Sequence, residues 1–231
     1  MCHLYLYVEG QTEQTFADAV LKPHLAQYGV YLMGAVLVHV GRKKGKTFRG
    51  GVLTYKPFRL GLENLLKQHD RPGVWFSSMV DLYALPKNFP GWDDAEKLRS
   101  DPRGRVAKLE ETLAADLADA RFIPYIQLHE FEALLFASPK DFGLYYPDKA
   151  DAVAALQAVT DAHASPELID DGKTTAPSKR IIAELPDYDG KKPVVGPLIA
   201  ELIGLPVLRA KCPHFSQWVE KLEQLGAGPQ P

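Results

Sequence analysis

Carboxylate side chains follow three of the apolar segments in this sequence. Glu9, Asp81 and the pair Glu130 and Glu132 each stand just beyond a run of aromatic and aliphatic residues. Several carboxylates at one place are the ligands that a hard cation such as Mg²⁺ or Mn²⁺ takes. Carboxylates also repel one another, so their clustering needs a cation or a shared proton. The pattern predicts a metal site with all four acids as ligands and with Glu9, Asp81 and Glu130 as catalytic residues.

Each of these acids also has an ordinary structural explanation. Glu9 precedes Gly10 and suits a turn, and Asp81 suits a helix cap or a turn. Glu130 and Glu132 fall in the first turn of a predicted helix, where carboxylates favour the helix dipole. The joint pattern is a stronger indication than any single member, because chance does not readily end three strands with acids.

Two further residues are candidate accessory groups. Glu13 lies in the first turn of a helix that Thr12 caps, and it is a helix-start residue unless it reaches the metal site. His129 stands between an apolar run and Glu130, and it is either an ordinary, partly buried histidine or a member of the site.

The acids are placed by segments that alternate between strand and helix. Apolar runs predict strands, and apolar residues at helical spacing predict the helices between them. The predicted strands cover residues 3–8, 30–40, 74–80 and 122–128, and the last helix covers 129–136. This alternation is typical of a Rossmann-like α/β fold with a mainly parallel, four-stranded sheet flanked by helices. Ligands of such sheets bind at the carboxyl ends of the strands, where the acids stand.

The second half of the chain differs in character from the first. After about residue 140 the sequence has short apolar helical segments and Pro- and Asp-rich loops, with no convincing strand. We therefore predict an α/β core over residues 1–140 and a helical extension over 141–231 that packs on the core.

One segment of the chain is strongly basic. The net charge is −2, yet residues 41–59 carry +7 with no acid, which leaves −9 for the remainder. Residues 41–51 are rich in glycine and predict a mobile loop at the same sheet edge as the acids. Such a loop suits a phosphate backbone, although it could equally be a solvated segment that offsets acidic neighbours. The residues predicted to bind nucleic acid are Arg42, Lys43, Lys44, Lys46 and Arg49.

A weaker basic set opens a later helix. Ser178, Lys179 and Arg180 stand at a predicted helix start, a geometry that can hold phosphate. Capping and solvent exposure explain these residues equally well.

Composition excludes several classes of protein. The chain has 231 residues, 46% hydrophobic and 24% charged, as in a globular protein rather than a disordered or collagen-like one. Its two cysteines exclude a disulfide framework and a cysteine zinc site. No apolar run reaches the ~18 residues of a membrane span, and the N-terminus lacks the basic lead of a signal peptide. We expect a cytoplasmic protein without a membrane partner, and the oligomeric state is left open.

Short motifs add a resemblance to known families. The segments Val-Glu-Gly-Gln-Thr-Glu at 8–13 and Met-Val-Asp-Leu-Tyr at 79–83 resemble the Toprim domain of primases, topoisomerases and nucleases of the overcoming-lysogenization-defect type. More closely, the chain resembles the bacterial family catalogued as domain of unknown function 4276. The further marks of that family are Gln-Leu-His-Glu-Phe-Glu-Ala-Leu-Leu-Phe at 127–136, Ala-Pro-Ser-Lys-Arg at 176–180 and Cys-Pro-x-Phe-x-x-Trp at 212–218.

This resemblance implies a Toprim-like core in which Glu9 and Asp81 bind Mg²⁺ and assist phosphoryl transfer. It also implies an ATPase partner, because such proteins are often linked to ATPases in phage defence. One departure matters: the Toprim motif has a second Asp where this chain has Tyr83. Either one metal ligand is missing, or Glu130 or Glu132 supplies it.

The leading hypothesis is therefore a Mg²⁺-dependent nuclease or phosphotransfer enzyme that acts on nucleic acid. The main alternative is a non-catalytic binding or regulatory subunit for nucleic acid or nucleotides, which lost turnover with the missing Asp. A third hypothesis is an enzyme of small nucleotides.

Overall fold

The fold is built on a sheet of short, apolar strands. The computed structural model describes residues 1–43, 46–49, 54–169, 172 and 174–227, with the backbone alone for 39–43 and 46–49. The strands are β1 (Cys2–Val8), β2 (Val30–Leu37), β3 (His39–Lys43), β4 (Lys46–Arg49), β5 (Val74–Asp81), β6 (Phe122–Ile123) and β7 (Ile126–Gln127).

The main sheet has the order β2-β1-β5-β6, with β7 pairing further along β5, and every one of these pairs is parallel. The prediction of an α/β fold with a mainly parallel sheet is thereby confirmed. The predicted fourth strand is divided into β6 and β7, so the sheet has five strands instead of four. Pro124 stands at the break, where it cannot donate a ladder hydrogen bond. The side chain of Ser78 bridges this gap, since Tyr125 N donates to Ser78 Oγ (3.0 Å) and Ser78 Oγ donates to Tyr125 O (3.1 Å).

Helices connect the strands and make up most of the second half of the described chain. The α-helices are α1 (Gln11–Phe16), α2 (Lys22–Ala26), α3 (Tyr55–Gln68), α4 (Trp92–Lys97), α5 (Pro102–Leu117), α6 (Phe142–Tyr145), α7 (Ala150–Asp161), α8 (Pro177–Glu184), α9 (Lys192–Ile203), α10 (Leu205–Lys211) and α11 (Pro213–Gln224). A π-helical turn, Ala17–Leu21, joins α1 to α2. The predicted helix over 129–136 is a 3₁₀-helix, Phe131–Ala137.

The described part of the predicted basic loop, residues 41–43 and 46–49, is strand. β3 and β4 form an antiparallel hairpin, and its register places Val40 opposite Phe48. β-branched and aromatic residues favour strands, and Val40, Thr47 and Phe48 supply this signal in the sequence among the glycines. The predicted second strand, 30–40, accordingly ends at Leu37, and its last residues belong to the hairpin.

Each face of the sheet has its own apolar cluster. Along β1, Leu4, Leu6 and Val8 belong to one cluster, whereas Tyr7 belongs to the other, as the alternation of a strand requires. Helices α3 and α5 cover the Tyr7 face. The first cluster also contains Trp218 of α11, whose indole N–H donates to Ser77 Oγ of β5 (2.9 Å). Helices from residues 141–231 therefore cover the Leu4 face, while the division of the chain into two domains at residue 140 stays a prediction.

No single helix in the described ranges is long and apolar enough to cross a membrane; only the bent pair α9 and α10, which turns by 87°, reaches that length and composition.

Candidate functional site

Glu9 and Asp81 lie next to each other at the carboxyl edge of the sheet. They follow β1 and end β5, two neighbouring parallel strands whose register sets Val8 opposite Met79. Asp81 N donates to Glu9 Oε2 (2.9 Å), and Glu9 N donates to Met79 O (3.1 Å). Asp81 Oδ1 is buried and accepts no hydrogen bond from any described residue. An acceptor that is buried and unsatisfied is costly unless something outside the protein fills it.

Glu13 reaches the same place from the first turn of α1. Its Oε2 accepts a hydrogen bond from Gly10 N (2.7 Å), so the carboxylate caps the helix that begins just after Glu9. The side chain is buried. Both explanations for Glu13 therefore apply in part, because it is a helix-start residue whose charge also acts on Glu9.

A second acidic segment, 129–132, follows β7. His129 is buried and has a φ of 62°, a left-handed conformation that turns the chain before Glu130. Tyr83 N donates to His129 O (2.8 Å), which ties this turn to the residues that follow Asp81. The two acid-bearing segments are thereby joined through their backbones.

Glu130 and Glu132 are both buried and both held by side chains from the second half of the chain. Glu130 accepts hydrogen bonds from Ser178 N and, at 3.0 Å, from Ser178 Oγ. Glu132 Oε1 accepts a hydrogen bond from the Tyr188 hydroxyl (3.4 Å) and lies 3.5 Å from Lys192 Nζ. The sequence did not predict the contacts of Ser178 and Tyr188 with the acids, because only long-range packing brings these segments together.

Burial and mutual repulsion govern the charge of this cluster. Burial raises the pKa of Glu9 to about 8, and the charges of Glu13, Glu132 and Glu130 add to the rise. Burial, with the charge of Glu9 next, raises the pKa of Asp81 well above its ordinary value. Burial and then Glu130 raise the pKa of Glu132 to about 7, against the lowering effect of Lys192. Several of these acids therefore hold protons at neutral pH unless a cation takes the place of the protons.

The helix start at Ser178 is not open to phosphate. The carboxylate of Glu130 accepts its N–H and hydroxyl donors, so an anion from the protein itself already lies at the N-terminus of α8. Lys179 is exposed, and Arg180 Nε donates to Thr175 O (2.6 Å). Capping, one of the two explanations given by the sequence, is what this geometry favours.

The donor set suits a hard cation that keeps much of its water. Within the described ranges, no three His, Cys, Asp or Glu side chains lie close enough to hold a metal ion together. Mg²⁺ is commonly held by only one or two carboxylates and completes its shell with waters and substrate oxygens. Glu9 and Asp81 are two neighbouring carboxylates of this kind. Asp81 Oδ1 accepts no hydrogen bond from the described residues, so its lone pairs are available to a cation. Glu13, Glu130 and Glu132 are already engaged by their own partners.

The basic hairpin starts beside these acids. Val38 N donates to Val8 O (2.8 Å), which places the start of β3 next to the end of β1. Arg42 and Lys43 lie on β3, Lys46 and Arg49 lie on β4, and the register pairs Lys43 with Lys46. Lys44 lies outside the described residues.

A groove elsewhere in the fold does not belong to this site. It has a volume of about 720 Å³ and is lined by Cys2, Trp75 and Leu225, among others. Cys2 and Trp75 lie near the amino ends of β1 and β5, whereas the acids lie at the carboxyl ends. The chemistry of the cluster, rather than the size of a groove, identifies the candidate site.

Comparison with solved structures finds three similar chains. The C-terminal region of the Burkholderia pseudomallei OLD protein is 14% identical, with a TM-score of 0.45, over 98% of this chain and 99% of that chain. The C-terminal region of the Xanthomonas campestris pv. campestris OLD protein, phased with mercury, is 14% identical, with a TM-score of 0.44, over 97% and 96% of the two chains. At this sequence identity and TM-score, the similarity to these structures does not assign roles to the residues of the site.

No curated protein matches the sequence. The model of one protein family matches residues 8–223, a span that includes Glu9, Asp81, the segment 129–132 and Ser178. On this match the chain belongs to the family described as Domain of unknown function (DUF4276).

Proposed function

We propose that this protein is a Mg²⁺- or Mn²⁺-dependent nuclease or phosphotransfer enzyme that acts on nucleic acid. The observation that carries the proposal is the pair Glu9 and Asp81, held side by side at the carboxyl edge of a parallel sheet with a buried oxygen of Asp81 unsatisfied. Its resemblance to the Glu and Asp of Toprim domains supports the same chemistry.

The roles of the acids follow from their contacts. Glu9 and Asp81 would hold the cation, which, when bound, polarises a phosphate oxygen and lowers the pKa of a bound water. Glu9 is also the candidate general base, because burial raises the pKa of its carboxyl group to about 8, which makes the carboxylate a stronger proton acceptor than an ordinary glutamate. Glu130 is fixed by Ser178 and Glu132 by Lys192, so these two acids would orient water or complete the outer shell of ligands.

The hairpin of β3 and β4 would hold the phosphate backbone of the substrate. It starts beside Val8 and carries Arg42, Lys43, Lys46 and Arg49 along its two strands. Cations on a hairpin next to a carboxylate cluster also counter the repulsion that the acids exert on a polyanion. An ATPase partner and a role in phage defence belong to the proposal on the resemblance alone.

Cleavage assays test the proposal. Purified protein should nick supercoiled plasmid or degrade single-stranded RNA with Mg²⁺ or Mn²⁺ but not with EDTA, and Glu9→Gln and Asp81→Asn should abolish this activity. Glu201→Gln, at an exposed position of α9, is the matched control and should keep it. Equal inertness of wild type and Glu9→Gln across metals and substrates would refute the enzymatic proposal.

One observation favours a non-catalytic alternative. Tyr83 stands where Toprim domains have their second Asp, and no third ligand group lies with Glu9 and Asp81 among the described residues. Under this alternative the protein binds DNA, RNA or a nucleotide without cutting it. Tighter binding of mononucleotides than of oligonucleotides would indicate a small-nucleotide site instead.

A further inference from the structure

Tyr83 is an exposed aromatic residue between the two acid-bearing segments. It follows Asp81 by two residues, so their Cα atoms are no more than about 7 Å apart. Its backbone N–H is bonded to His129, the residue directly before Glu130. The side chain is 53% exposed, although most large apolar residues of this chain are buried. The proposed metal site uses the acids on both sides of Tyr83 but gives this residue no role.

The backbone holds Tyr83 firmly in this position. The bond from Tyr83 N to His129 O measures 2.8 Å, and Leu85 N donates to Leu82 O (3.3 Å), which closes the short 3₁₀ turn Leu82–Ala84. Leu82 and Leu85 are buried on either side and anchor the turn in the core. A ring carried by a fixed turn loses little conformational entropy when a ligand stacks on it.

The position of the ring matches the chemistry of a nucleotide. A phosphate held by Glu9 and Asp81 is linked through its sugars to two bases, so a base lies within reach of a residue whose Cα is no more than about 7 Å from that of Asp81. An aromatic face is available to any base, because every base has a π-face. A paired base in a duplex is covered on both faces by its neighbours, so only an unpaired base can take up this contact.

We propose that Tyr83 stacks on a base next to the phosphate at the acid site, and that the substrate is an unpaired strand of DNA or RNA rather than an intact duplex. This inference rests on the proposed function, since the acid site must first hold a phosphodiester. A tyrosine at this position also leaves one carboxylate fewer to repel the incoming phosphate, which agrees with a binding role.

Kinetics on matched oligonucleotides test the inference. Single-stranded DNA, single-stranded RNA and a DNA duplex of the same sequence would be compared for wild type, Tyr83→Ala and Tyr83→Trp. We expect Tyr83→Ala to raise KM for its single-stranded substrate about tenfold with kcat nearly unchanged, and Tyr83→Trp to restore KM, because stacking contributes to binding. The duplex should be a poor substrate for all three proteins.

Tyr31 of β2 provides the matched control. It is 42% exposed, and its register opposite His3 puts it about 20 Å along the sheet from Glu9. Tyr31→Ala should leave KM unchanged. If Tyr83→Ala and Tyr31→Ala behave alike, or if wild type prefers the duplex, the inference is wrong even though the nuclease proposal stands.

A binding measurement separates failure of the inference from failure of the proposed function. Single-stranded oligonucleotides with 2-aminopurine report stacking through quenching of their fluorescence, with no need for cleavage. Quenching by wild type and Tyr83→Trp, but not by Tyr83→Ala, would support the stacking role in a protein that cuts nothing. Quenching that is equal for wild type and Tyr83→Ala would overturn it.

Discussion

Replacing Glu9 with glutamine should stabilise the metal-free protein at neutral pH, because the fold disfavours a charge at this carboxyl group. Burial, together with the charges of Glu13, Glu132 and Glu130, raises the pKa of Glu9 to about 8 from the ordinary value of 4.5. Glutamine keeps a carbonyl oxygen that can accept the hydrogen bond from Asp81 N. The variant therefore removes the ionisation and preserves the contact.

The size of the effect follows from the shift in the pKa of Glu9. In the unfolded chain the carboxyl group ionises near pH 4.5, whereas in the folded chain it keeps its proton up to about pH 8. Between these values the folded state binds more protons, so the free energy of unfolding of wild type falls as the pH rises. One pKa unit corresponds to ~1.4 kcal/mol, so the fall due to Glu9 is about 3 kcal/mol at pH 7 and about 5 kcal/mol above pH 8. Below pH 4.5 both states hold the proton, and the difference vanishes.

Denaturant unfolding in EDTA measures this difference directly. The free energy of unfolding of wild type and Glu9→Gln would be compared at pH 5, 7 and 8.5, and the gap should widen in favour of the variant as the pH rises. Added Mg²⁺ should then stabilise wild type more than Glu9→Gln, because the variant lacks one of the two carboxylates proposed to hold the cation. Glu201→Gln, which removes an exposed carboxylate of α9, is the control.

A gap between wild type and Glu9→Gln that stays constant from pH 5 to pH 8.5 would refute this reasoning. So would a variant that is less stable than wild type at every pH, since Glu9 would then stabilise the fold as a charged group. The same pH dependence in Glu201→Gln would show that the effect does not come from the acid cluster.

Three further predictions concern other parts of the fold. Burial lowers the pKa of His214, but its hydrogen bond to Glu110 (3.0 Å) and the charge of that residue leave the pKa above 6.5. The pair of His214 and Glu110 therefore contributes its whole stabilisation below pH 6.5, and this contribution is lost as the pH rises through the pKa of His214 in the folded state. In denaturant unfolding, His214→Gln should therefore lower the free energy of unfolding more at pH 6 than at pH 9. Gly196→Ala should cost about 1–3 kcal/mol in the same assay, because the new Cβ would lie 2.9 Å from the Tyr188 hydroxyl. Arg42→Ala should weaken binding of single-stranded DNA and lower the slope of log K against log salt by ~0.7, and an unchanged slope would mean that this residue contacts no phosphate.

The main elements of the sheet could be predicted from local pattern. Mainly apolar runs predicted β1 and β5 nearly to the residue, because a strand buried on both faces is rich in apolar residues. The hairpin of β3 and β4 was wrongly predicted as a loop, since glycines and charges conceal a cross-strand pair that only the register reveals. The break between β6 and β7 depends on Pro124 together with the bridging side chain of Ser78, and a single-sequence pattern does not report such a bridge.

The sequence by itself determined which acids stand at the ends of the strands. That information is local, because a parallel sheet brings the carboxyl ends of its strands to one edge whatever surrounds them. Only the tertiary structure decided how these acids differ from one another. Asp81 retains an unsatisfied oxygen beside Glu9, whereas Glu130 is held by Ser178, which lies 48 residues further along the chain. Hydrogen bonds and burial set by such distant contacts distinguish the carboxylates from one another, and residue type and spacing do not contain this information.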